Sequence, residues 1–442
     1  MRTLKYITIL IFINSIVLAE EKVLTLEKAL DCAVLNAFDV LSSKAEKRKL
    51  KHQINEAMGA LLPSLKLESM YTRYDKATAF TFPDSNGDMQ ETVIRPKEDR
   101  TATVTASWNI DLFGVSRKGV SIARIAEQAA QENICTEISK VKVEVRKAYY
   151  NIRKTKAFLD IANKTKDNVF QRLERAKELK KNGSISEYSV TRFETEYQRA
   201  ISDQISAKNS LVMAKSALNN LIAKPVHCNY STEPIKEKIT IPDVTLNDWI
   251  CFAWTCRSEI KSLQKQIKAQ SELTDFQKGG TTPSLELRGK FFRDFNPTFG
   301  SNPEQLSATA MLRWTIFDSG VTKAKVNAAK EDVNKVKIQL EKVKSAVALE
   351  IRQALVAVQN AKEQIKVAQK TVKFAKHGLK IAKVRYEVNE AYALEVTDAE
   401  TEYTRAQRSL AVAKYDYLAS LASLKRAIGT DDLEKVKSNE KS

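Results

Sequence analysis

The chain is written twice. Shifted by 220 residues, Thr25-Leu26 meets Thr245-Leu246, Ala33 meets Ala253, Val40 meets Ile260, and Pro63-Ser64-Leu65 meets Pro283-Ser284-Leu285. Past a loop 14 residues shorter in the second half, the offset becomes 206. There Trp108 and Gly114 fall on Trp314 and Gly320, and Glu194-Thr195-Glu196-Tyr197 falls on Glu400-Thr401-Glu402-Tyr403. A tandem duplication of this length confines the fold to two copies of one architecture. The expected organisation is a first repeat over 20–223, a linker over 224–241, a second repeat over 242–429 and a polar tail over 430–442, with Pro225, Pro234 and Pro242 marking the junction.

Each repeat reads as helix, strand hairpin, long helix and return helix. The 442 residues include 12 Gly and 9 Pro, under half the usual share of these breakers. Residues 120–182 and 321–377 contain neither. Long helices are therefore expected over 116–181 and 321–388, each near 100 Å at ~1.5 Å per residue, with return helices over 186–223 and 391–428. In the second long helix Val333, Leu340, Val347, Ala354, Ala361, Ala368, Ala375 and Ala382 recur every seven residues. That period means left-handed coiled-coil packing, and its alanines admit a close neighbour. Asn182-Gly183-Ser184 ends the first long helix, since Gly takes the left-handed conformation a helix stop requires; Val388, Asn389 and Glu390 occupy the matching place.

Four segments alternate instead, in hairpins over 65–110 and 285–316. Ala102, Val104, Ala106, Trp108 and Ile110 share one face, with Thr101, Thr103, Thr105, Ser107 and Asn109 opposite. Leu306, Ala308, Ala310, Leu312, Trp314 and Ile316 repeat the pattern. Two hairpins lying on a water-soluble core would satisfy it, but the long helices are already committed to each other. Membrane-crossing strands alternate in this way. Unpaired strand edges are not tolerated in hydrocarbon, and four strands cannot close a barrel. Two copies would supply eight strands and three would supply twelve. The polar segments 75–100 and 296–305 are expected as outer loops.

Arg2 and Lys5 precede an apolar run from Tyr6 to Leu18, and Val17-Leu18-Ala19 ends it as a secretory signal does, so cleavage is expected after Ala19. The net charge of +18 fits nucleic acid, an anionic membrane or Lys-rich solvated helices, and export disfavours the first. Cys32, Cys135, Cys228, Cys251 and Cys256 form an odd set without metal-site spacing; buried free thiols are expected, with a disulfide from Cys228 to Cys251 or Cys256 as the alternative. His52, His227 and His377 are scattered. No HExxH, GxSxG or phosphate loop is present, so no catalytic residue, cofactor or metal is expected, and the chain reads as no enzyme.

With LLPSLKL before the first strand, WNIDLFG and WTIFDSG where strands hand over to long helices, and the two hairpin tips, nearly the whole chain resembles the TolC-like family of outer-membrane efflux proteins. The fold class is then mainly α with a small β part: tandem coiled-coil hairpins forming an α-barrel, and four strands contributing to a trimeric transmembrane β-barrel. The resemblance implies a homotrimer in outer-membrane lipid, an exit duct docked on a periplasmic adaptor protein and an inner-membrane pump of RND, ABC or MFS type. The tips Asn182, Gly183, Ser184, Val388, Asn389 and Glu390 would contact the adaptor. The alternative is a periplasmic adaptor with a coiled-coil hairpin, although such a chain would show a Gly-rich β-domain.

From Tyr386 to Thr404 there are six acids, Glu387, Glu390, Glu395, Asp398, Glu400 and Glu402, and no Lys or Arg. Glu395 and Asp398, at i and i+3, share a helix face, and the first repeat has Ser189 and Arg192 there. Alone, the pair also fits a solvated face; the resemblance places it at the periplasmic pore constriction. The resemblance also matches Tyr386 to a gate-packing tyrosine, for which core packing is the alternative. The family's usual gate partners correspond here to Ser189 and Ala391, a departure from the family pattern.

Overall fold

The computed structural model describes residues 23–83, 87–235, 242, 244–297, 302–388 and 390–438. The expected signal at 1–19, Asn389, most of the linker beyond 235 and the end of the polar tail lie outside the described residues. The first half runs β1 (Val23–Leu24), α1 (Leu26–Asn36), α2 (Phe38–Gly59), β2 (Ser64–Arg73), β3 (Thr78–Pro83), β4 (Met89–Arg95), β5 (Glu98–Ile110), α3 (Val115–Lys181) and α4 (Glu187–Leu221). After β6 (Ser231–Thr232) the order recurs as α5 (Leu246–Cys256), α6 (Ser258–Gln277), β7 (Ser284–Asp294), β8 (Glu304–Arg313), α7 (Val321–Glu387) and α8 (Ala393–Ile428), followed by α9 (Lys435–Ser438). None of the described helices is long and apolar enough to cross a membrane.

Two compact units cut across the sequence repeats. One comprises Met1–Phe38, Lys140–Pro242 and Gln353–Arg426, the other Asp39–Ser139, Asp243–Arg352 and Ala427–Ser442. In the first, Ala354, Ala361, Ala368 and Ala382 from the seven-residue row of α7 are buried together with Val358 and Leu379, while Ala375 of that row is half-buried. In the same unit Tyr149 of α3 donates its hydroxyl to the Leu24 carbonyl (3.0 Å), fastening the short parallel pair β1 and β6 to the helices.

The second unit holds an antiparallel sheet in the order β2-β5-β7-β8. The register sets Leu67 opposite Val104, Val104 opposite Phe291 and Phe291 opposite Leu306. One layer further, Leu65, Ala106, Gly289 and Ala308 align. Alternation in each strand thus becomes a shared apolar face over these layers, ending where Ser69, Ala102, Arg293 and Glu304 align, and backed by a face carrying Thr103, Thr105, Ser107, Arg288, Lys290 and Thr309. Leu65 is 76% exposed and Leu306 81% exposed, although full burial of such a side chain contributes about 1.5–3 kcal/mol. Among the described residues the face has no partner, and β2 and β8 are open edges.

The handover from strand to long helix repeats an indole bond and a left-handed glycine in both halves, while the capping carboxylates stand one position apart at offset 206. The Trp108 indole donates to the Leu61 carbonyl (2.9 Å) and the Trp314 indole to the Thr281 carbonyl (3.1 Å). Gly114 and Gly320 then take φ of +74° and +84°, a conformation that side-chain-bearing residues rarely adopt. Carboxylates cap the helices that follow: Asp111 accepts from the Arg117 N–H (2.9 Å) and Asp318 from the Thr322 N–H (2.7 Å). Partial burial alone would raise the Asp111 carboxyl, but its bonds from Arg117 outweigh that and hold it below the usual range. Asp318 is lowered by the Thr322 hydroxyl and N–H.

Three expectations need correction. The outer segment 75–100 is not wholly loop, because β3 and β4 pair as a hairpin with Phe80 opposite Thr92 and Phe82 opposite Gln90. β8 stops at Arg313, opposite Ser284, the first residue of its partner β7, so Trp314 and Ile316 lie beyond the strand. The five thiols are unpaired but not buried, with Cys135 and Cys251 exposed.

The end of α6 also distinguishes the repeats. A Cβ on Gly279 would lie 2.6 Å from the Val115 side chain, whereas one on Gly59, its equivalent at offset 220, would meet nothing within 4 Å. Gly279→Ala should destabilise the protein by about 1–3 kcal/mol through overpacking, and Gly59→Ala should not. Thermal melting of the two variants measures the difference, and equal melting points would refute the close approach.

Candidate functional site at the helical hairpin tips

The hairpin tips belong to the first compact unit. At the first, Gly183 takes φ +72°, its N–H bonds the Lys180 carbonyl (2.9 Å), and the Ser184 N–H bonds the Leu179 carbonyl (2.9 Å). These are the bonds of a glycine-terminated helix. Ser186 restarts the chain as the cap of α4, its hydroxyl accepting from the Ser189 N–H (3.4 Å). Ile185 then packs on Leu173, Ala176, Val190 and Phe193, and Ala393 from the second hairpin joins that cluster. The exposed Asn182, Gly183 and Ser184 are thus held by a rigid apolar base.

Arg385 organises the second tip. Its guanidinium pairs with Glu395 across the turn (3.0 Å) and donates to the Glu390 carbonyl (3.1 Å). The Glu390 N–H returns a bond to the Arg385 carbonyl (2.8 Å). Offset 206 puts Leu179 and Ser189 at the places of Arg385 and Glu395, so this clamp exists in one half only. Tyr386 and Glu395 are half-buried, while Val388, Glu390 and Asp398 are exposed.

The acidic run is less free than its composition indicates. Glu400 is buried and forms an ion pair with Arg172 of α3, and Asn168 donates to its other oxygen (3.2 Å). Glu402 pairs with Arg405 one turn on. Half of the six acids are therefore matched by arginines outside the 386–404 window; Glu387, Glu390 and Asp398 remain exposed. The i, i+3 spacing of Glu402 and Arg405 was readable in the sequence, but nothing local announces Arg172 as the partner of Glu400. Further polar contacts tie α8 to the first hairpin. The Thr397 hydroxyl donates to Glu196 (3.1 Å), the Thr165 and Thr404 hydroxyls lie 3.3 Å apart, and Arg408 reaches Asp203 (3.4 Å).

Tandem helical hairpins with an amphipathic, open-edged sheet define the class of duct-forming outer-membrane subunits. The chain belongs to the outer membrane efflux protein family, whose model matches residues 29–224 and 255–430. It is an outer-membrane efflux component of a Gram-negative bacterium and not an enzyme, which removes the periplasmic adaptor alternative. Its fold is similar to that of the Campylobacter jejuni CmeC outer membrane channel, at 20% identity and a TM-score of 0.76 over 94% of this chain and 89% of that one. The Neisseria gonorrhoeae MtrE channel in its open state matches at 20% identity and 0.71 over 92% and 89%. The Vibrio cholerae outer membrane protein VceC matches at 16% identity and 0.71 over 92% and 96%. No curated protein matches the chain by sequence.

Replacing one partner of a buried ion pair strands the other charge. Glu400→Gln should therefore destabilise the protein by about 3 kcal/mol, while Arg172→Met combined with Glu400→Leu should recover most of that loss. Denaturant unfolding of the two variants is the check; a double variant as unstable as the single one would show that the seam depends on charge itself.

Proposed function

We propose that three copies assemble with β2 of one chain paired to β8 of the next, closing a twelve-stranded barrel that continues into a barrel of helices. Substrates would pass from an inner-membrane pump and its periplasmic adaptor through this duct to the exterior. The observation that carries the reading is the apolar sheet face with two open edges, which a lone chain leaves unsatisfied. In this reading the sequence repeats 20–223 and 242–429 are equivalent staves, Asn182–Ser184 and Val388–Glu390 are the adaptor contacts, and Tyr386 packs behind the gate.

The mature protein should extract with outer membranes and migrate as a trimer that collapses to monomer on heating. A stable water-soluble monomer would refute the assembly.

In the same reading, threefold repetition of Glu395 and Asp398 forms the constriction. Carboxylates crowded around a narrow axis attract cations. The combined substitution Glu395→Gln and Asp398→Asn should raise anion permeability in planar bilayers. Arg385→Gln, which releases Glu395 from its partner, should shift selectivity toward cations. Unchanged reversal potentials in both variants would remove these residues from the pore.

A further inference from the structure

The last third of α7 carries a concentration of positive charge that neither coiled-coil packing nor the duct explains. From Gln364 to Tyr386 there are six lysines, one arginine and one histidine, with no acid. Like charges three and four residues apart on a helix repel, so Lys373, Lys376, Lys380 and Lys383 oppose the stability of the helix that bears them. The fold does not demand the first three, although Lys383 has Lys177 as its equivalent in the first repeat. At offset 206 the first repeat places Asp167, Phe170 and Glu174 where the second has Lys373, Lys376 and Lys380, while the buried Leu173 and Leu379 coincide.

These four lysines line one groove of about 700 Å³, together with Phe374 and Leu379. Asn168 of α3 and Tyr403 of α8 supply polar groups, and no acid is among the lining residues. Asn168 bonds Glu400 (3.2 Å), but that carboxylate is already neutralised by Arg172. Most of the lining is apolar and Phe374 is 69% exposed. The volume lies within the range of sites that hold a drug-sized molecule. A hydrated inorganic anion would use the ammonium groups and leave the ring and the Leu379 surface wet. A neutral apolar molecule would leave the charges uncompensated.

We propose that this groove binds small amphipathic anions, an apolar ring or chain lying on Phe374 and Leu379 and a sulfonate, carboxylate or phosphate head among Lys373, Lys376, Lys380 and Lys383. The site is contained in one chain and does not rest on the assembly proposed above. Equilibrium dialysis of the purified protein in uncharged detergent against naphthalene-2-sulfonate should show saturable binding at one site per chain. Affinity should fall at least tenfold in Lys376→Gln combined with Lys380→Gln. It should also fall in Phe374→Ser, and stay unchanged in Lys366→Gln, which lies outside the groove. All are surface substitutions, and retention of wild-type melting verifies folding. A cationic naphthalene of the same size should not compete. The proposal is overturned by absence of saturable binding, by equal affinity in the double-lysine variant, or by equal competition from the cation. Full displacement by inorganic sulfate at matched ionic strength would also overturn it, because the apolar floor would then contribute nothing.

Discussion

The structure depends on the sheet being unable to satisfy itself. Four strands expose an apolar face and end in two edges of unpaired peptide groups, and each such group costs several kcal/mol in hydrocarbon. Everything attached to the sheet inherits that condition. Each repeat contributes one hairpin, so the junctions between hairpin and long helix must be built the same way twice. The paired tryptophan-to-carbonyl bonds and the paired left-handed glycines meet that requirement.

Symmetry of the interior coexists with asymmetry of the surface. Leu173 and Leu379, and Ala176 and Ala382, are equivalent and buried alike, because both hairpins need the same seam. Outward positions have diverged in charge. Arg385 and Glu395 replace Leu179 and Ser189, and lysines replace Asp167 and Glu174. Positions free of packing demands can change charge at little cost to stability, which lets the halves differ on the surface while keeping one seam.

Periodic features were legible in the sequence because periodicity is a backbone property read directly in side-chain spacing. Six of the eight residues in the seven-residue row of α7 are buried, and the two-residue rows of β5 and, as far as Leu312, of β8 lie on one apolar face. What escaped was set by partners distant in sequence. The end of β8 depends on where its partner β7 begins, and the state of Glu400 depends on Arg172 in the other repeat. The acidic run misled for a related reason: a count along the chain ends at a boundary, whereas Arg385 reaches across the turn. The β3–β4 hairpin was hidden because its polar cross-strand partners obscure the alternation of Phe80 and Phe82.

The buried pair of Arg172 and Glu400 bears on the height of the tips as well as on stability. An apolar pair of similar volume would be about as stable, but α8 also repeats alanine every seven positions, at Ala399, Ala406 and Ala413, and such a seam packs when slipped by seven. Slipping α8 against α3 would bring Ala393 or Gln407 to the place of Glu400, and neither carries a charge for Arg172. Such a slip would displace Glu395 and Asp398 by about 10 Å along the helix axis. A polar contact inside a repetitive apolar seam selects one register. The level at which Glu395 and Asp398 stand therefore rests in part on an ion pair five and two residues further along the same helix.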